Sequence, residues 1–327
     1  MNAVYLANSF HLTKTKSTDF LIELLRSWFN LTIIPHKEVW AQLNFKPDVL
    51  ITFQHLWKPK ELEAMGAKTT VIVPMFDDCP KDKVFWDSYL GFKILSFSST
   101  LGTMLKAWGH DVLSVQYYPE FEADQVKNLK DYHGFFWPRT PQLDWSHIRP
   151  LLAGVNWKSF HLHVTNKEGA HHLPDQEEAQ RLNLIRTEWF EKPEDYLKAM
   201  EKATVYFAPR RAEGIGQAVL EALARGLCVV APDAPTMNEY ITDGVDGILY
   251  DPDKPKPLDW SKVSEMGLKA RRRAEVGRKA WLETLPRIRE FISEPTPRRQ
   301  RVHPWVVVKG KLIATARSLV RWLRKHH

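Results

Sequence analysis

The chain has 327 residues, 44% hydrophobic and 26% charged, and its 13 Trp, 16 Phe and 9 Tyr supply enough apolar area to exclude disorder and to make two domains the natural expectation. The formal charge of +7 is uneven: residues 295–327 hold nine Lys and Arg and no acid, so the rest is slightly acidic and a nucleic-acid-binding body is disfavoured. Two cysteines, Cys79 and Cys228, cannot staple a secreted scaffold, no apolar run approaches the roughly 20 residues of a membrane span, and Met1–Ala7 lacks the basic start of a signal peptide, so a cytoplasmic protein is expected.

Short apolar runs bounded by turn residues predict buried strands at Val4–Ala7, Leu31–Ile34, Asp48–Thr52, Thr70–Pro74, Ile94–Phe97 and Val112–Val115. Helices fit Phe20–Leu25 after Ser17-Thr18-Asp19, and Leu101–Trp108 after Ser98-Ser99-Thr100. The rhythm restarts after Tyr132, with strands at His133–Trp137, Ser159–Val164, Asn183–Thr187, Thr204–Ala208, Leu227–Ala231 and Gly247–Tyr250, and helices at Pro193–Lys202 and Gly216–Arg225. Strands alternating with helices imply an α/β protein: two doubly wound, Rossmann-like parallel domains joined near Glu120–Tyr132, with the ligand in the cleft at the carboxyl ends of the strands.

The most informative stretch is Thr204–Tyr250. A strand ends at Ala208-Pro209, a loop carries Glu213-Gly214-Ile215-Gly216, and a helix follows. Two glycines permit close backbone approach, and free N–H groups at the helix start favour an anion such as a diphosphate. Glu213 on the loop and Glu221 in the helix can face one ligand, and carboxylates accept hydrogen bonds from sugar hydroxyls.

This stretch resembles the signature of retaining GT-B glycosyltransferases of group 1, which include glycogen synthases and bacterial polysaccharide transferases. Glu213, Gly214, Gly216, Leu220, Glu221, Ala222, Gly226, Val229, Val230, Ala231, Glu239, Gly244 and Gly247 match, and a weaker likeness extends over about 133–293. The resemblance implies a GT-B fold, a nucleotide-diphosphate sugar as donor and no required metal or other cofactor. It further implies that Glu213 meets the donor sugar and Glu221 the ribose. The backbone of Gly214, Ile215, Gly216 and Gln217 would meet the sugar and diphosphate, and Arg139 the leaving group's charge. Trp281 resembles the tryptophan that opens the family's C-terminal crossing helix. The implied division is an acceptor domain at 1–125, a nucleotide-sugar domain at 126–275, the crossing helix at 276–294 and a tail at 295–327.

The departures bear on the donor site. Where the family places a Lys five residues after the Arg, this chain has Asp144, so Arg210 or Arg211 is left to substitute unless both are solvated loop residues. The glycine-rich loop after the first strand is replaced by Asn8–Thr18, and the family's His after the fourth strand by Phe76-Asp77-Asp78. Asp77 reads as an acceptor-side base or hydroxyl ligand, as half of a metal pair that lacks a nearby His, or as a strand-end turn. Ser98 and Ser99 follow a strand where the family often has Ser, and equally cap the next helix. His161, His163, His171 and His172 show no ligand spacing and read as surface residues, while Cys228 reads as core.

From Trp305 the tail shows Leu312, Ile313, Ala316, Leu319, Val320 and Leu323 at helical spacing, flanked by bases. A basic amphipathic helix of this kind suits an anionic membrane surface, with 298–327 as the footprint, or packs its stripe on the protein itself. Taken together, the sequence reads as a retaining glycosyltransferase acting on a glycan or lipid-linked acceptor on the cytoplasmic face of a membrane. A non-catalytic GT-B homologue that binds a sugar or a partner is the alternative.

Overall fold

The computed structural model describes residues 1–15, 17–120, 131–164, 172–188, 190 and 193–295. The expected domain junction at 121–130 and the tail from 296 lie outside the described residues.

Each half forms one parallel sheet. The first contains β1 (Asn2–Ala7), β2 (Asn30–Pro35), β3 (Val49–Phe53), β4 (Thr69–Val73), β5 (Lys93–Ser96) and β6 (Asp111–Ser114), in the order β2-β1-β3-β4-β5-β6. Its helices are α1 (Asp19–Trp28), α2 (Val39–Gln42), α3 (Pro59–Ala64), α4 (Lys83–Asp87) and α5 (Ser99–Ala107). The second sheet contains β7 (Tyr132–Phe136), β8 (Trp157–His163), β9 (Leu184–Thr187), β10 (Val205–Phe207), β11 (Cys228–Pro232) and β12 (Ile248–Tyr250), in the order β12-β11-β10-β7-β8-β9. With it go α6 (Trp145–Ile148), α7 (Gln176–Arg181), α8 (Pro193–Glu201), α9 (Gln217–Ala224), α10 (Met237–Tyr240) and α11 (Val263–Ser293). Every expected strand is present within a residue or two of its expected bounds; the central strands, buried on both faces, read as uninterrupted apolar runs, whereas the edge strands β2 and β9 are partly exposed.

Strand order reverses between β1 and β3 in the first sheet and between β7 and β10 in the second. At such a switch point neighbouring loops diverge to opposite faces and leave a crevice at the carboxyl ends of the strands. The loops after β1 and β4 meet the segment after β10, through Ser17 with Gln217 and Asp77 with Arg210. One continuous apolar cluster joins the domains, running from Tyr5 and Phe97 through Trp281 to Leu220 and Val229.

The crossing helix is longer than expected. α11 starts at Val263, inside the segment assigned to the second domain, and Trp281 sits well within it rather than opening it. The end of α11 is held by the first domain: the Lys93 ammonium, 2% exposed, donates to the Phe291 carbonyl at 2.8 Å and lies 4.8 Å from the Phe291 ring, and the Thr69 hydroxyl donates to the Glu294 carbonyl at 3.0 Å. A cation at a helix C-terminus satisfies carbonyls that have no intrahelical partner. Among the described residues no helix is long and apolar enough to cross a membrane.

Candidate active site

The site grows from the second sheet's switch point. Beyond β7, Arg139 lays its guanidinium 4.3 Å from the centre of the Trp137 ring, and its backbone N–H donates to the Pro209 carbonyl at 3.4 Å, tying the loop after β7 to the loop after β10. That second loop reaches α9 through Gly216, whose left-handed backbone (φ +75°) is strained for any residue with a Cβ. The Glu213 backbone N–H donates to the Pro235 carbonyl at 3.0 Å, fixing the turn that carries its carboxyl.

Burial pushes the Glu213 carboxyl up to about 7; Arg210 and Arg139 oppose the rise and Asp77 adds to it. Glu221, five residues into α9, is also raised by burial, with Arg225 opposing. Both carboxylates act electrostatically on the buried Tyr206 phenol and help to push its ionisation up.

The first domain closes the site from the other side. Asp77 lies in the short turn Phe76–Asp78 after β4, and its carboxylate accepts from Arg210 across the domain boundary at 3.4 Å. Burial raises Asp77, with Arg210 opposing. The ion pair itself, with Arg210 38% exposed, adds at most about 1 kcal/mol. Its consequence is positional: Asp77, Arg210, Glu213 and Arg139 form one alternating set of charges drawn from both domains. The Gln217 side-chain amide donates to the Ser17 carbonyl at 2.9 Å. Gly214 lies against Met75, where an added Cβ would fall 2.6 Å from the sulfur and 2.8 Å from the Met75 Cβ. Gly214→Ala is therefore expected to push the domains apart and to lower the free energy of unfolding by about 1–3 kcal/mol, read from urea midpoints.

Several expected residues serve other ends. Arg211 turns away from Glu213: it donates to the Gln142 carbonyl at 2.9 Å and to the Asp253 carboxylate at 2.6 Å, so only Arg210 joins the charge set. Asp144, 2% exposed, caps α6 and accepts from the Ser146 N–H and hydroxyl and from the His172 N–H. Burial would raise its carboxyl, but these bonds, with the imidazoles of His172 and His147, hold it well below the usual range. The substituted acid thus builds a helix start instead of facing an anion. The Ile215 side chain is core, leaving its backbone alone to meet a ligand. The expectation of surface histidines fails at His163, which is fully buried with Nδ1 2.8 Å from the Thr187 hydroxyl and its ring stacked at 4.3 Å on Phe190. His163 lies on β8 inside the sheet, and burial pushes it down to about 4. His171 lies outside the described residues.

Sequence reasoning matched Glu239 to the family without a role and passed over Gln54 altogether. Glu239 accepts from the Ser98 hydroxyl at 2.7 Å and from the Ser99 and Thr100 N–H groups at 2.7 and 3.1 Å, so a second-domain carboxylate caps α5 of the first domain. Gln54, directly after β3, has φ +64° and donates its amide to Asp78 at 3.2 Å. Strained backbone at a non-glycine strand end is a mark of function that sequence does not display. Among the described residues no group of three or more His, Cys, Asp or Glu could hold a metal ion.

Two six-stranded parallel sheets facing each other across their switch points are shared with solved structures. The glycosyltransferase of Rickettsia africae aligns with a TM-score of 0.64 and 11% identity, over 89% of this chain and 98% of that one. Sucrose-phosphate synthase of Thermosynechococcus elongatus gives 0.61 and 11%, with the same coverage. HepE of Anabaena, solved with UDP and glucose, gives 0.57 and 13%, over 88% of this chain and all of that one. The fold is GT-B. Residues 147–260 match the family described as Glycosyl transferases group 1, a span that contains Glu213 and Glu221. A comparison with curated proteins finds no match. Within the GT-B frame the loops acquire sides: those after β7 and β10 belong to the half that contains the matched span, and those after β1, β3 and β4 to the other.

Proposed function

We propose that the protein is a retaining glycosyltransferase that moves a sugar from a nucleoside-diphosphate sugar to a glycan or lipid-linked acceptor. The observation that carries this reading is the pair Glu213 and Glu221 on the loop and helix after β10, with Arg139 and Arg210 of the same domain and Asp77 of the first domain acting on Glu213. Glu221 accepts from the ribose and Glu213 from the donor sugar. Arg139, Arg210 and the N–H groups at the start of α9 offset the charge of the departing diphosphate, so the reaction needs no metal. An acceptor hydroxyl attacks the anomeric carbon from the side the diphosphate leaves. The new C–O bond forms as the C–O bond to phosphate breaks, and the hydroxyl proton passes to the departing phosphate oxygen. Asp77, facing the same space, orients the acceptor hydroxyl. The UDP and glucose bound by HepE, which shares the fold, support a nucleotide-sugar donor.

Calorimetry with UDP, GDP, ADP and their sugar conjugates tests the reading. One diphosphate is expected to bind in the micromolar range, with Glu221→Ala weakening it at least about tenfold; failure of every nucleotide with folded protein would overturn it. Asp144 in place of a cation favours a second reading, a GT-B homologue that binds but does not transfer. Tight donor binding without transfer or donor hydrolysis would select it. For residues 298–327 we propose attachment to an anionic membrane on its cytoplasmic face, checked by salt-sensitive co-sedimentation with phosphatidylglycerol vesicles.

A further inference from the structure

Among the described residues, one face of the last turns of α11 is left uncovered. Leu282, Leu285, Pro286, Arg289 and Ser293 fall at i, i+3, i+4, i+7 and i+11 on that face, and with Trp28 at the end of α1 they line an open groove of about 630 Å³. Its floor is apolar: Leu285 and Trp28 pack on the cluster that joins the domains, while Leu282 is 47% exposed. Glu283, Glu290 and Glu294, all exposed, run along one flank at i, i+7 and i+11; Arg287 stands beyond them and Arg289 within the groove. An apolar helix face of this kind ordinarily lies against another element. The described chain ends at Pro295, two residues past Ser293, and residues 296–327 follow it.

We propose that this groove is the docking site of the chain's own tail, which returns antiparallel to α11 and lays Leu312, Ile313, Ala316, Leu319, Val320 and Leu323 in it. The docking stands whether or not the chain transfers sugar. The lengths match: 312–323 and 282–293 each cover twelve residues, about 18 Å as helix at roughly 1.5 Å per residue. Residues 296–311 extend to about 50 Å, against the roughly 10 Å between the axes of packed helices, so the turn back is within reach. Charge sets the direction. On a helix, Arg317, Arg321 and Arg324 gather along one flank of the stripe. Antiparallel packing puts that flank on the same side as Glu283, Glu290 and Glu294, with Arg317 near Glu290 and both Arg321 and Arg324 near Glu283. Parallel packing would put the two flanks on opposite sides. On the tail's other flank, 312–323 carries no base to meet Arg289. The stripe cannot face the groove and a bilayer at once, so the docked tail is the form without membrane, and an anionic surface competes for it.

Hydrogen exchange of the full chain, read by mass spectrometry without lipid, follows the amides of 313–323. An isolated helix of this length is marginal in water, so protection there reports docking. These amides are expected to exchange about tenfold slower in the wild type than in Leu282→Lys. Glu290→Lys is expected to lose most of the protection, and Arg317→Glu in the same chain to restore it. Leu282 and Glu290 are exposed, so α11 keeps its own protection in each variant. Fast exchange in the wild type overturns the inference, as does protection that Leu282→Lys leaves unchanged. So does a Glu290→Lys effect that Arg317→Glu fails to reverse, or protection that grows with protein concentration, which would place the tail on a second copy. Exchange that slows only on phosphatidylglycerol vesicles overturns the groove and leaves the membrane attachment of 298–327 standing.

Discussion

Glu213→Gln is expected to reduce sugar transfer by roughly 10²–10³-fold while making the protein more stable above neutral pH. The loss follows from the proposed role of Glu213 as acceptor for the donor sugar, within a set of charges that includes Arg139, Arg210 and Asp77. The gain follows from burial, which raises the carboxyl from its ordinary 4.5 to about 7. Between those values the folded chain holds a proton that the unfolded chain releases, so stability falls as pH rises through this window. Above it the full penalty remains, at most about 3 kcal/mol, and an amide of the same shape removes it. Thermal unfolding of wild type and Glu213→Gln at pH 4, 6 and 8 checks the sign. The variant's advantage should be absent at pH 4 and largest at pH 8, and an advantage constant with pH would remove burial as its cause.

Trp281→Ala is expected to lower the free energy of unfolding by about 3–5 kcal/mol, the range for deleting a fully enclosed tryptophan. Trp281 is 2% exposed, and its ring lies among Tyr117 at 5.3 Å, Phe97 at 6.2 Å and Phe20 at 6.4 Å, all from the first domain. It is carried by α11, whose start packs on the second domain, where the Cys228 thiol lies 3.8 Å from the Met266 sulfur, and whose end is held by Lys93 and Thr69. Removing the indole opens a cavity in the seam between domains. The chain should then lose transfer along with stability, because Asp77 and Arg210 meet only when the domains are apposed. Urea midpoints and small-angle scattering follow the two effects separately. An unchanged midpoint would mean that α11 is held by its two ends alone.

The sequence by itself determined the strands, their grouping into two doubly wound sheets, the βα unit bearing Glu213 and Glu221, and the burial of Cys228. Each is written in local order: a run of apolar residues, a glycine before a helix, a carboxylate at a set distance from that glycine. Only the tertiary structure decided which charges meet. Arg210 and Arg211 are neighbours in the chain, yet one pairs with Asp77 across the cleft and the other with Asp253 on its own domain. Asp144 caps α6 because Ser146 and His172 reach it, and Glu239 caps a helix that begins some 140 residues earlier. Gln54 reaches Asp78 only when β3 and β4 lie side by side. The reason is common to all of them. Backbone and burial preferences act over a few residues and leave a periodic trace, whereas a hydrogen bond or ion pair between distant side chains leaves none until the sheet order brings its partners together.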